Sequence, residues 1–198
     1  NKDFTGGVSV DAGVLTVSDD NNLGKADTTL TLNGGTLETT ALMTLNRNVQ
    51  LNADSTIKNN SVLSVSRLQG NHQVTLDGGS FDLRSDGTHT NSHLGTVIKN
   101  ATVDITSNAD LGQSAGALGF SGNAILQANG QVDTSARQIN ITGVGNIIET
   151  NSNNVTLGTL TGTGDLQKSG TGDLVLNQNS QTYSGNLDIT TGQAVVGN

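Results

Sequence analysis

Hydrophobic residues in this chain come in short runs in which they alternate with polar residues. This period of two is typical of a half-buried β-strand. The runs include Val8-x-Val10, Leu15-x-Val17, Leu30-x-Leu32, Val49-x-Leu51, Leu63-x-Val65, Val74-x-Leu76, Phe81-x-Leu83, Val103-x-Ile105, Ile139-x-Ile141, Leu174-x-Leu176 and Leu187-x-Ile189. No stretch keeps the apolar spacing of an amphipathic helix for more than one turn. The pattern therefore predicts an all-β protein with negligible helix.

The chain also repeats itself at long, fixed spacings. Residues 30–37 return as residues 74–81 after a shift of 44, and loosely as residues 118–125 after a shift of 88. Residues 22–24 likewise return as residues 110–112 after a shift of 88. Such self-similarity is typical of a solenoid. A β-sandwich also has short alternating strands, but it has no reason to reproduce its turns at fixed shifts.

Successive runs start 19 to 25 residues apart, which fits the coil of a β-helix. One coil buries too few side chains to offset the entropy of ordering its backbone, so coils must stack on a shared core. We therefore predict a β-helix of about nine coils of roughly 20–25 residues, with Phe81 and Phe120 inside. The corners are predicted at Gly34-Gly35, Gly78-Gly79 and Gly122-Asn123, because turns there need positive φ.

Composition narrows the classes of partner. The 198 residues include 26 Gly but no Pro, Cys or Trp, and the formal net charge is -8. Only nine Lys and Arg are present and they form no cluster, so nucleic acid is not an expected partner. The absence of proline fits strands that donate hydrogen bonds on both sides. Without cysteine, neither a disulfide framework nor Cys-ligated zinc can form.

One motif carries a family resemblance. Residues 162–176 read G-x-G-x-L-x-K-x-G-x-G-x-L-x-L, and Asn179, Tyr183 and Gly185 follow. This resembles the passenger-associated repeat of bacterial autotransporters, and residues 4–17 look like a continuation of the same repeat. The spacing before Tyr183 is one residue longer than usual and lacks its glycine. The stretch from Arg84 to Val97 matches nothing in the repeat, so residues 84–94 are predicted to be an inserted loop.

The resemblance implies a right-handed parallel β-helix on the cell surface of a Gram-negative bacterium. It implies that residues 1–198 are a single β-helix segment of a longer passenger domain. Contact with the outer membrane would then be made only through a C-terminal β-barrel that lies outside this sequence. Members of the family commonly serve as adhesins and in cell aggregation and biofilm formation.

The inserted loop is the candidate binding site from sequence. It gathers Arg84, Asp86, His89, Asn91 and His93. Insertions in solenoids bulge from one face and often carry binding. Two histidines and a carboxylate could ligate a metal, but their i, i+4 spacing favours a metal only on a helix, and no helix is predicted. The interpretation adopted is a solvated binding loop without metal.

Other chemistries find less support. Residues 18–22 are rich in Asp and Asn but lack the spacing of a calcium loop, and they recur in weaker form at 107–110, which indicates a turn motif. A polysaccharide-degrading enzyme would need paired carboxylates beside aromatic platforms, and this chain has one Tyr and three Phe. We expect no enzyme activity and no cofactor. The carboxylates considered for such a site are Asp77, Asp82, Asp104, Asp133 and Glu149.

The solvent-facing flank of the predicted β-helix, which is rich in Asn, Thr and Ser, is therefore the surface expected to carry the function. Such a surface offers many weak hydrogen bonds, which multivalent display would add up. The leading hypothesis is an adhesin segment that acts by side-by-side self-association or by attachment to host matrix proteins or glycans. The alternative is a passive stalk that holds a distal domain away from the membrane.

Overall fold

A computed structural model describes residues 3–85, 87–176 and 182–197. Within them the chain forms short strands and two 3₁₀ turns, Asp20–Leu23 and Asn108–Leu111. The strands are β1 Val8–Val10, β2 Val14–Val17, β3 Leu30–Asn33, β4 Thr36–Thr39, β5 Met43–Leu45, β6 Val49–Ala53, β7 Ser55–Asn59, β8 Val62–Val65, β9 Leu68–Gly70, β10 Gln73–Asp77, β11 Ser80–Asp82, β12 Gly95–Lys99, β13 Thr102–Ile105, β14 Leu118–Ser121, β15 Ile125–Ala128, β16 Val132–Asp133, β17 Gln138–Thr142, β18 Asn146–Glu149, β19 Val155–Leu157, β20 Thr159–Gly162, β21 Leu166–Ser169, β22 Asp173–Leu176, β23 Leu187–Ile189 and β24 Gln193–Val196.

All of these strands pair in parallel, and they build a three-sided solenoid. Side B has the order β2-β4-β7-β10-β12-β14-β17-β20, and side C has the order β5-β8-β11-β13-β15-β18-β21-β23. The third side consists of β1-β3-β6-β9 in the first half and β16-β19-β22-β24 in the second. A bridge from Gly162 to Tyr183 extends side B to a ninth level. The predicted all-β solenoid of about nine parallel coils is confirmed.

Strand register places one inward side chain above another along each side. On side B, the column Leu37, Ile57, Leu76, Ile98, Phe120 and Ile141 runs through the core. On side C, the matching column is Met43, Leu63, Phe81, Val103, Leu126, Ile148 and Lys168. Phe81 and Phe120 are fully buried, as the sequence predicts. The described residues include no helix with the length and hydropathy of a membrane span.

The sequence repeat and the structural coil do not coincide. Residues 30–37 form β3 and β4 on the third side and side B, whereas residues 74–81 form β10 and β11 on sides B and C. The second copy of the repeat, at a shift of 44, is therefore displaced around the solenoid by one side relative to the first copy. Vertical neighbours are instead 18 to 23 residues apart, as the pairs Leu63–Phe81 and Val103–Leu126 illustrate. All three sides use the same alternation and the same corners, so the pattern alone does not distinguish them.

The predicted corners adopt the left-handed backbone at most of the expected positions. Gly34 has φ of 104°, Gly78 and Gly79 have φ of 75° and 59°, and Asn123 has φ of 43°. A β-carbon at Gly78 would also lie 2.8 Å from the Asn59 carbonyl oxygen on the preceding coil. Glycine is therefore required at that corner both for its φ and for its lack of a side chain.

Two arginines are fully buried, and each one holds a 3₁₀ turn of the preceding coil. Arg47 forms a two-pronged ion pair with Asp20, with Nε 2.7 Å from Oδ1, and donates to the Leu23 carbonyl. Arg137 donates to the carbonyls of Asn108, Gly112 and Gly116. These turns carry the Asn22–Leu23–Gly24 pattern and its copy 88 residues later. Each arginine thus satisfies carbonyls that no strand ladder reaches.

Lys168 occupies a core position on side C and is also fully buried. Its ammonium donates to Thr150 Oγ1 at 2.9 Å and to the carbonyls of Ser169, Gly170 and Thr191. Burial lowers the pKa of this amine. The aliphatic stem continues the hydrophobic column while the head joins the backbone of two coils.

Replacing Lys168 by methionine is expected to lower the free energy of unfolding by about 3 kcal/mol. Methionine keeps most of the packed volume, but the Thr191 carbonyl loses the donor that Lys168 supplies, and the half-buried carbonyls of Ser169 and Gly170 each lose one of their donors. A polar group left unpaired costs about 1–3 kcal/mol. Urea unfolding followed by circular dichroism measures the loss. The matched control is Lys25→Met, since Lys25 is exposed and its side chain has no ion pair among the described residues. Equal stability of both variants and the native chain would contradict the assigned role of the ammonium.

Candidate binding surfaces

The first half of the segment 84–94 faces solvent. Arg84 is exposed and forms a two-pronged ion pair with Asp82, with Nε–Oδ1 and Nη2–Oδ2 distances of 2.7 Å. The Arg84 guanidinium lowers the pKa of Asp82, so this carboxyl stays ionised. Asp86 lies outside the described residues. His89 is half-buried, and its carbonyl accepts a hydrogen bond of 2.6 Å from Ser85 Oγ.

The second half of the segment alternates inward and outward like a strand. Asn91 is buried, accepts from the Leu68 amide at 2.9 Å and donates to the Asp110 carbonyl at 2.8 Å. His93 is fully buried, and its Nε2 lies 2.8 Å from Thr96 Oγ1. Two of the candidate residues therefore serve the interior of the coil. Binding by the exposed residues of this segment stays a prediction.

The side chains considered for metal binding and for hydrolysis are distributed over the three sides, although two of the carboxylates are neighbours. Within residues 3–85, 87–176 and 182–197, no three His, Asp or Glu side chains come together as metal ligands would. The five carboxylates considered for an enzyme fall on three sides. Asp77 lies on side B, and Asp133 lies on the third side. Asp82, Asp104 and Glu149 lie on side C, where Asp82 and Asp104 are direct neighbours on β11 and β13, and Gln127 lies between Asp104 and Glu149.

A regular column of charge runs along the outer face of side B. We call it the charge ladder, and it consists of Glu38, Lys58, Asp77 and Lys99 on four successive strands. Its signs alternate. The Nζ–carboxylate distances are 2.9 Å for Lys58–Glu38 and 3.2 Å for Lys99–Asp77. Hydrogen bonding to Lys58 lowers the pKa of Glu38, and the same contact raises the pKa of Lys58.

A column of threonines accompanies the charge ladder two residues earlier on each strand. Thr36, Thr56 and Thr75 stack in register and are half-buried, and Val97 follows them. Strands in a sheet lie roughly 4.8 Å apart, so hydroxyls and charges are both presented at that spacing. Side B therefore offers a flat polar face with a fixed sequence of signs.

A groove of about 530 Å³ lies where side C turns into the third side. It crosses four coils, and its lining includes Thr44, Ser64, Arg67 and Asp82, with Arg84 at its edge. Thr44, Ser64 and Asp82 are stacked neighbours on β5, β8 and β11. The groove thus combines hydroxyls, one carboxylate and two guanidinium groups.

Neither the charge ladder nor the groove was predicted from sequence. A signal for the ladder was present, because its members recur about one coil apart at the same offset from a corner. For the groove the signal was weaker, since Arg67 and Arg84 come together only through the register of side C. Writing the sequence with one coil per line would have revealed the charge ladder and suggested the groove.

Comparison with protein-family models, with curated proteins and with solved structures found no match for this chain. The fold defines the chain as a parallel β-solenoid.

His93 is expected to make stability depend on pH. Its Nδ1 is buried and has no hydrogen-bond partner among residues 3–85, 87–176 and 182–197, and burial together with the charge of Arg137 lowers its pKa from 6.5 to about 4. The unfolded chain therefore binds a proton between these pH values that the folded chain does not. The free energy of unfolding should fall by about 3 kcal/mol from this group as the pH drops from 7 to 4.

Unfolding in urea at a series of pH values measures this dependence. In His93→Gln the free energy of unfolding should depend less steeply on pH between 6.5 and 4, because the proton that unfolded His93 binds in this range is removed. The matched control is His72→Gln, which makes the same substitution at a histidine whose side chain is 43% exposed. Carboxylates with lowered pKa values, such as Asp82, add a further loss at lower pH that all three proteins share. An unchanged slope in His93→Gln would show that His93 does not titrate in this way.

Proposed function

We propose that this chain is a segment of an adhesive rod on the surface of a Gram-negative bacterium, and that it associates side by side with a second copy. The motif of residues 162–176 supports this class, because it resembles the repeat of autotransporter passengers. The buried position of its lysine, Lys168, is consistent with a motif that builds the solenoid. The contact itself is proposed for side B.

The sign sequence of the charge ladder is the observation that carries the proposal. Along the rod the signs of Glu38, Lys58, Asp77 and Lys99 are minus, plus, minus, plus. When a second copy faces it in the antiparallel direction, Glu38 meets Lys99 and Lys58 meets Asp77, so all four contacts are attractive. In the parallel direction and the same register, all four are repulsive. A two-fold axis between β7 and β10 generates the attractive arrangement.

The same axis brings the threonine column onto itself. Thr56 of one copy faces Thr75 of the other, where the two hydroxyls can hydrogen-bond. Each exposed ion pair contributes only about 0–1 kcal/mol, so a single pair of rods associates weakly. Display of many copies on two opposed surfaces adds these contacts into stable adhesion.

Beads coated with the chain provide the test. Native beads should clump, and clumping should decrease with salt because exposed charges are screened. Lys58→Glu places like charges at both central contacts and should abolish clumping. The double variant with Lys58→Glu and Asp77→Lys restores opposite charges there and should restore clumping. Lys25→Glu changes the net charge by the same amount away from the ladder and should clump like the native chain.

Three results would contradict the proposal. Clumping of Lys58→Glu at the native level would exclude the charge ladder as the contact. Failure of the double variant to recover would exclude the antiparallel register. No clumping of native beads at any salt concentration would favour the alternative function, a passive stalk. Capture of native beads by immobilised matrix protein or glycan, without bead clumping, would instead indicate attachment to a host surface.

A further inference from the structure

We propose that the groove between side C and the third side binds a short saccharide that carries one negatively charged group. This inference is independent of the self-association proposed above, because it concerns another side of the solenoid. It rests on the shape of the groove, on the order of its polar groups and on the Arg67 guanidinium, which has no carboxylate partner in the part of the chain that the structure describes.

The floor of the groove is a rigid row of polar groups. Thr44, Ser64 and Asp82 project outward from three successive strands, while Leu45 and Val65 beside them point into the core. Thr106 on the next coil extends the lining. Three inter-strand steps span roughly 14 Å, which gives room for more than one sugar ring. Because Thr44, Ser64 and Asp82 lie on paired strands, their backbone positions are fixed before a ligand binds, which lowers the entropic cost of binding.

The two arginines differ in how their charge is used. Asp82 already neutralises Arg84 through two hydrogen bonds, which fix the guanidinium in place and leave Nη1 for a ligand. Arg67 donates through Nη1 to the Asn46 carbonyl at 3.4 Å and has no carboxylate partner among the described residues. Among the described residues, Arg67 is therefore the guanidinium of the groove without a carboxylate partner, whereas Arg84 also interacts electrostatically with Asp104 and Asp110.

These features select the ligand class. A fixed carboxylate, a fixed guanidinium and several hydroxyls together provide both acceptors and donors for the hydroxyls of a sugar. Arg67 adds a planar fork that fits a carboxylate or a sulfate. The net charge of -8 disfavours a densely charged polyanion. A saccharide with a single anionic group fits the hydroxyl-binding groups, offers one partner to Arg67 and avoids strong repulsion by the negative chain.

Ligand-detected NMR with the 198-residue chain tests the proposal. The probes are a disaccharide that ends in glucuronate, its counterpart that ends in glucose, and a disaccharide with one sulfate. At least one anionic probe should bind more tightly than the neutral one, and the better of the two identifies the source of the charge. Arg67→Gln should weaken that binding roughly tenfold, the size expected for a charge-assisted hydrogen bond.

Two further variants separate the groove from the general surface. Ser64→Tyr fills the floor and should abolish binding of every probe, whereas Lys25→Gln removes one positive charge elsewhere and should leave binding unchanged. Circular dichroism confirms that each variant is folded. Equal binding of neutral and anionic probes, native affinity in Arg67→Gln, or no binding of any probe would each overturn the proposal.

Discussion

Parallel pairing of every strand with the coil before and after it is the constraint on which the rest of this structure depends. A single coil buries few side chains, so its backbone is ordered only when neighbouring coils supply hydrogen-bond partners and a shared core. This pairing turns residues 18 to 23 apart in sequence into neighbours, as at Leu63–Phe81 and Val103–Leu126. Proline is absent from the chain, in agreement with strands that need their amides on both sides.

The parallel pairing also explains where charged side chains are buried in the core. Strand ladders satisfy the backbone within each side, but they leave carbonyls unpaired at the irregular turns. Arg47 and Arg137 supply several donors each to the two 3₁₀ turns, and Lys168 supplies them to the corner near Gly170. A buried cation is stabilising only when its hydrogen bonds are complete, and here the acceptors are mostly fixed backbone atoms. The interior cations are therefore part of the backbone hydrogen-bond network.

The sequence predicts the regular part of this fold and misses the exceptions for identifiable reasons. Alternation of apolar residues predicts the inward positions of Phe81 and Phe120, because burial of one strand face is a local property. The alternation after Leu166 also gives Lys168 an inward position, but the four acceptors around its ammonium come from three parts of the chain and are visible only in the three-dimensional arrangement. Polar composition makes residues 84–94 resemble a loop throughout, although Asn91 and His93 are buried by contacts with other coils. The charge ladder and the groove both depend on strand register, and the sequence repeat does not give that register because its copies lie on different sides of the solenoid.

The two arginine contacts tie each 3₁₀ turn to a later part of the chain. Asp20 and Arg47 are separated by 27 residues, and Asn108 and Arg137 by 29, so each turn acquires its donor only after the following coil has been laid down. Each arginine therefore acts as a clamp between consecutive coils, and removal of a coil would leave the turn before it without its donors.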